Sequence, residues 1–331
     1  MIAWLAAAAL AAPTLDADRI AADVEALAGG SVSTSRNIHH PGNAAAVDWL
    51  VSRFGEIDGL VVREEVFEAD GVSGLVNVIA DLPGDDPDAP WVVISAHIDT
   101  TGKADEGYDP ATDPAPGADD DASGIAAMLE IARVLSPTRH QSTVRFIAFN
   151  AEEEGLLGSF FHTGQLKGQP IRLVLNLDPI GFNPGDTYTL WITYDARWPD
   201  DALALEALAP QVADTLTVTA IDAALLGGDR RSDHAPFWDE GYAALHLASF
   251  PQPAEYHTAN DTVDVVDPQY TTAVATLVAA HAEDLAVPMA TTDAPSGCGC
   301  RTGSPTGSIW AWVLLVGLRW RKNFIAPCQL R

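Results

Sequence analysis

The chain has 331 residues, 47% of them hydrophobic, enough for one large α/β domain or two small ones with a filled core. Its formal net charge of −28, from 18 basic against 46 acidic residues, argues against nucleic-acid binding, which leaves a basic footprint. The three cysteines, Cys298, Cys300 and Cys328, lie near the C-terminus, so the body holds neither a disulfide framework nor a thiol nucleophile or ligand.

Residues 1–13 are an Ala/Leu-rich run ending in small residues, as in a secretory signal peptide, although no Lys or Arg opens it; a mature N-terminal helix is the alternative. The main domain is placed at 14–287. Helical periodicity runs over 16–28 and 42–54, with Ile20, Val24 and Leu27, then Val47, Leu50 and Val51, on one face. Residues 61–69 alternate like a strand. Residues 74–82 form a second strand, ended by Pro83-Gly84-Asp85-Asp86-Pro87. Residues 91–95 are a continuous apolar run, as expected of a central buried strand. The acidic, Pro-rich loop 103–116 follows, and its segment 105–113 reads either as a calcium site or as a solvated loop. An amphipathic helix is predicted over 125–135, buried strands over 144–149 and 173–177, and a helix over 156–166 between them. A strand at 188–193, a helix at 201–213, a strand at 243–247 and a closing helix at 267–285 complete the domain. Asp267 is the expected N-cap of that last helix, with Pro268 in its first position.

Strands alternating with helices predict an α/β sheet covered on both faces. Residues 288–308 read as a linker rich in Thr, Ser, Gly and Pro that contains Cys298-Gly299-Cys300. In the tail, 309–331, ten apolar residues precede Arg319, Arg321 and Lys322. Ten fall short of the ~20 that span a bilayer as a helix, so a sorting or transient membrane-anchoring signal is expected. Five basic residues and no acidic ones lie from Cys298 onward, leaving 46 acidic against 13 basic in the rest.

The chemistry concentrates at Gly117-Ala118-Asp119-Asp120-Asp121-Ala122-Ser123-Gly124, where three consecutive carboxylates separate a loop from an apolar helix. Like charges this close repel unless solvated, protonated or neutralised by a cation. Asp120 is the choice for a carboxylate bridging two cations, with Asp119 and Asp121 turned toward backbone or solvent. An Asp-rich helix N-terminus, with Asp121 or Ser123 as N-cap, is compatible with the same residues. His97 and Asp99, two apart at a strand end, point the same way, and a ligating imidazole usually gives its other N–H to a carboxylate. Glu152-Glu153-Glu154 follows the 144–149 strand; one of them could ligate metal while a neighbour faces substrate, or the run could be surface. Asp178 ends an apolar strand and there needs a partner or a metal. His257 lies in Tyr-His-Thr-Ala-Asn-Asp-Thr, where Asp261 either supports its ring or caps a turn. His97, Glu152/Glu153 and Asp178 sit at the carboxyl ends of strands, where ligands bind in such sheets.

HIDT, PGADDDASG, AEEEGLLGS, LNLD, RSDHAPFW and YHTANDT, in this order over roughly residues 36–285, resemble the co-catalytic zinc exopeptidases, whose best-known members are bacterial leucyl aminopeptidases. The resemblance implies a three-layer α/β/α sandwich around a mostly parallel mixed sheet. It implies two zinc ions, one held by His97 and Asp178, the other by Glu153 and His257, with Asp120 bridging. Glu152 would be the general acid/base, Asp99 the carboxylate behind His97, and the Asp120–Asp121 peptide cis. The substrates implied are peptides with a free N-terminus, which an acidic surface favours, although the negative charge can equally be only a solvated face. A departure lies at Gly227-Gly228-Asp229-Arg230-Arg231, where the family carries a tyrosine; Arg230 or Arg231 supplies a positive charge there or is simply solvated. Glutaminyl cyclases and carboxypeptidases of the same fold are the alternative enzymes, and a non-catalytic surface binding protein is the alternative class. The tail resembles a myxobacterial C-terminal sorting signal, which implies export to the cell surface or release.

Overall fold

Apolar continuity in the central strands and alternation in the outer ones build a single eight-stranded sheet, seen in a computed structural model that describes residues 14–287. The leader, the linker and tail from 288 on, and all three cysteines lie outside the described residues. In chain order the main elements are α1 (Ala17–Ala28), α2 (Gly42–Gly55), β1 (Val61–Ala69), β2 (Val72–Leu82), β3 (Trp91–His97), α3 (Ser123–Leu135), β4 (Val144–Phe149) and α4 (Leu157–Gln165). Then come β5 (Ile171–Leu177), β6 (Tyr188–Tyr194), α5 (Pro199–Val212), β7 (Leu216–Asp222), α6 (His234–Asp239), β8 (Ala244–Ala248) and α7 (Pro268–Ala286).

The sheet order is β1-β2-β4-β3-β5-β8-β6-β7. The four central strands β4, β3, β5 and β8 run parallel, while β1, β2 and the β6–β8 pair bring in antiparallel ladders. Successive side chains of a strand point to opposite faces, and the packing follows that alternation. Val92, Ile94 and Ala96 of β3 pack on one face with α1, α2, α3, α5 and α7, whereas Val93 packs on the other with Phe237 and Trp238 of α6. The result is the expected α/β/α sandwich around a mixed sheet. Asp267 caps α7 as predicted, accepting from the backbone N–H groups of Gln269 and Tyr270.

Two elements lie outside the sequence prediction. β7 pairs parallel with β6, and its alternating Leu-Thr-Val-Thr-Ala pattern was there to be read. α6 is six residues long and contains Pro236, too short and too broken for helical periodicity to show.

One buried cation ties the layers to the loops above them. Arg36, fully buried between α1 and α2, donates from Nε to the Ile98 carbonyl at 2.8 Å and from Nη2 to the Gly117 carbonyl at 3.0 Å. Its Nη1 donates to the carbonyls of Pro116 and Leu27, and its backbone N–H to Thr100 Oγ1. Burial pulls its pKa down to about 10, against the pull of Asp261, Asp121, Asp99 and Asp120, so the guanidinium stays charged at neutral pH. Arg36→Met should strip this donor from the Ile98, Pro116 and Leu27 carbonyls, at ~1–3 kcal/mol for each buried group left unpaired, while Gly117 keeps the Ala122 N–H. A loss of at least ~3 kcal/mol in urea denaturation is expected; a loss below ~1 kcal/mol would show that water replaces the guanidinium.

Candidate metal centre

Three neighbouring parallel strands deliver the first residues to one edge of the sheet. β3 ends on His97, β5 is followed at once by Asp178, and the chain leaving β4 turns through Asn150 and Ala151 into Glu152 and Glu153. The β3–β4 register sets His97 opposite Phe149, and the β3–β5 register sets Ser95 opposite Asn176, so the three chain ends emerge level. Ala151 and His257 both adopt left-handed backbone (φ 58° and 60°), a conformation that costs energy in a non-glycine residue and clusters at functional sites.

Asp120 stands at the middle, in the irregular turn Ala118–Ala122 that precedes α3. Its Oδ1 lies 2.8 Å from His97 Nε2, and that nitrogen is 3.3 Å from Asp178 Oδ1. Its Oδ2 lies 2.9 Å from His257 Nε2, which is 3.2 Å from Glu153 Oε1. Asp120 Oδ2 and Glu153 Oε1 are buried without a hydrogen bond of acceptable geometry, although His257 Nε2 is this close to both. On this side the donor atoms converge without being aimed at one another, which fits a shared cation better than a hydrogen-bonded network, whereas His97 Nε2 and Asp120 Oδ1 meet in hydrogen-bond geometry. The oxygen and imidazole composition suits zinc. All of His97, Asp99, Asp120, Glu152, Glu153, Asp178 and His257 are thus brought to one place. The Asp120–Asp121 peptide is cis.

The surrounding groups hold these atoms in position. Asp119 accepts the Gly181 and Phe182 N–H groups and Asp121 those of His97 and Gly124, so both turn to buried backbone rather than solvent. Asp99 behaves differently from expectation. His97 Nδ1 is 3.1 Å from the Asp99 backbone carbonyl and 3.6 Å from its carboxylate, whose oxygens accept the N–H groups of Glu152 and Glu153. It therefore fixes the Glu turn as much as the imidazole. Asp261 is bonded neither to the His257 ring nor to the turn that follows it: its two oxygens accept the N–H groups of Asp119 and Asp120, in the turn Ala118–Ala122, at 2.9 and 3.0 Å. Behind Asp178 runs a polar chain that the sequence reading missed, Ser95–Asn176–Ser232–Asp178, with His246 Nε2 at 2.7 Å from the Asp178 carbonyl. The loop acids of 105–113, read either as a calcium site or as a solvated loop, serve the loop's own turns and the Ala259 N–H, and none joins a ligand cluster among the described residues.

The sequence model of Peptidase family M28 matches residues 77–282. The chain belongs to this family. It is similar to aminopeptidase YwaD of Bacillus subtilis, 34% identical over 162 residues that make up 45% of this chain and 33% of that one. A probable zinc metalloprotease of Pyricularia oryzae is 36% identical over 52% of this chain and 37% of its own length. The solved LapA aminopeptidase of Legionella pneumophila superposes with a TM-score of 0.69 at 25% identity, over 82% of this chain and 72% of LapA. The chain spans less than two thirds of the length of the first curated relatives it matches.

In this M28 chain the crowding of charge decides the protonation states. Burial lowers the His97 pKa, but the Asp178 and Asp120 carboxylates overcome it and raise the imidazole well above its ordinary value. For His257 the same opposition, with Asp120 and Glu153, ends at about 9. Burial raises Glu152 well above the ordinary carboxylate range, with Asp178 and Glu153 adding to the push against the attraction of His97. Over these residues opens a cavity of about 450 Å³, within the roughly 300–1,000 Å³ range of small-ligand sites. Glu152, Tyr256, Lys103, Arg230 and Arg231 are in its wall, and Lys103 Nζ reaches Glu153 Oε2 at 2.9 Å.

Because Asp261 holds the backbone of the central aspartate, Asp261→Asn should loosen that carboxylate without touching a candidate ligand. A drop in zinc affinity of ~10–100-fold, read by competition with a chromophoric chelator, is expected. Unchanged affinity would assign Asp261 to the loop alone.

Proposed function

We propose that the protein is a di-zinc aminopeptidase that hydrolyses the N-terminal peptide bond of peptides. The observation that carries this is the division of Asp120 between two imidazoles, one oxygen toward His97 and the other toward His257. His97 and Asp178 would hold one ion, Glu153 and His257 the second, and Asp120 would bridge them. The aminopeptidases among its relatives support the reaction, and the free amine of a substrate suits a site lined with carboxylates. Zinc bound there supplies Lewis-acid polarisation of the carbonyl and a water of lowered pKa.

The chain's own residues supply the proton handling. Glu152 lies beside the candidate ligands, faces the cavity and is raised in pKa by burial, which suits a general base working near neutral pH. It would take a proton from the attacking water and deliver it to the leaving amine. Asp99, gripping the Glu152 and Glu153 N–H groups, would keep the two glutamates in their separate roles.

Purified protein saturated with zinc should hold two ions per chain by elemental analysis, and Asp120→Ala should hold neither in order. Glu152→Gln should lower kcat by ~10²–10⁴-fold while metal content stays, since it keeps shape and removes basicity. Glu153→Gln should lose the second ion and recover part of its activity in added zinc. One ion or none in the wild type, or the two glutamate phenotypes exchanged, would overturn the assignment.

Export to the cell surface or medium, with passing membrane association through the tail, is the reading of the leader and tail that we propose. It predicts that native protein begins near residues 12–15 and ends near Cys300. An intact mass that includes both Met1 and Arg331 would refute it.

A further inference from the structure

The candidate catalytic cavity is bordered by cations in a chain that has few. Of the 13 basic residues preceding Cys298, Lys103, Arg230 and Arg231 line this one cavity. They are not equivalent. Lys103 is engaged with Glu153, and Arg230 with Asp239 on the exposed surface. Arg231 is held only through its Nε, which donates to Asp229 Oδ1 at 2.7 Å; among the described residues neither terminal nitrogen donates to a protein acceptor.

Its anchor is fixed in turn. The Asp229 side chain is fully buried, and its Oδ2 lies 3.2 Å from His246 Nδ1. The other ring nitrogen of His246 meets the Asp178 carbonyl, so Arg231 is tied from behind to the strand end that carries a candidate ligand. Arg231 is a lining residue of the cavity whose side chain is 68% exposed, and a guanidinium oriented at Nε with both terminal nitrogens unengaged is a two-pronged donor matched to a carboxylate. The charge balance sharpens this. The field of so acidic a chain repels anions, and a side-chain cation at the cavity rim favours the entry of an anionic group there.

Resting on the peptidase reading above, we infer that Arg231 is a specificity-determining residue that binds a carboxylate of the substrate. Two sources share that chemistry: the side chain of an acidic first residue, and the free carboxylate of a dipeptide.

The test measures kcat/KM of zinc-loaded wild type, Arg231→Gln and Arg231→Lys on four substrates. These are glutamyl and leucyl anilides, and leucyl-glycine with its carboxylate free or amidated. In Arg231→Gln the glutamyl-to-leucyl ratio, or the free-to-amidated ratio, should fall roughly tenfold or more, mainly through KM. The ratio that falls names the source, and Arg231→Lys should restore part of it. Metal content measured beside the kinetics separates this from damage relayed through Asp229 to Asp178. If the wild type cleaves the leucyl substrates and neither ratio moves in either variant, the inference fails while the peptidase reading stands. If the wild type cleaves none of the four, both fall together.

Discussion

Asp120 turns one oxygen to each of two imidazoles, and a carboxylate can do this only if its backbone is prevented from rotating. The surrounding structure supplies that restraint from several directions. Asp261 reaches across from a loop distant in sequence to accept the N–H groups of Asp119 and Asp120, Asp119 is held by the Gly181 and Phe182 N–H groups, and Asp121 is clasped to the backbone of His97. Three aspartates in a row therefore meet three different sets of partners. One faces the cavity and two are structural, each spending its charge on backbone donors.

Burying so many carboxylates at one sheet edge would be prohibitive without positive charge nearby. Arg36 provides some of it from below, within the field of Asp261, Asp121, Asp99 and Asp120 but bonded only to carbonyls and a hydroxyl. The two imidazoles, held above their ordinary pKa by the same carboxylates, provide more. The candidate metal positions lie at the buried Asp120 Oδ2 and Glu153 Oε1, which among the described residues have no hydrogen bond of acceptable geometry.

The parts of this arrangement legible in the sequence are those with a local signature. Continuous apolar runs gave the central strands, and their carboxyl ends located His97, Glu152, Glu153 and Asp178 before any geometry was known. β7 carried a readable alternation. Asp261, Arg36 and His246 were beyond reach for a different reason: each acts on residues distant in sequence, through backbone groups that leave no pattern. Asp261 lies 141 positions from the Asp120 N–H it accepts, and Arg36 lies 81 from the Gly117 carbonyl. The resemblance to the zinc exopeptidases named the candidate ligands and, of the acids that brace them, Asp99 alone; Asp119, Asp121 and Asp261 came from the geometry.

Arg36 lies outside the stretch that the family model matches, which begins at residue 77. The two helices around it are easily taken for a variable N-terminal extension, since none of the candidate ligands lies in them. Yet the segments next to His97 and Asp120 are tied to that guanidinium at the Ile98 and Gly117 carbonyls, and Arg19 on α1 grips buried Glu130 on α3 through two nitrogens. A module cut where the family match begins would keep every candidate ligand and lose one of the groups that brace them. For transplanting or trimming this domain, the indivisible unit starts before α1, at Asp16, whose N–H also binds Glu130.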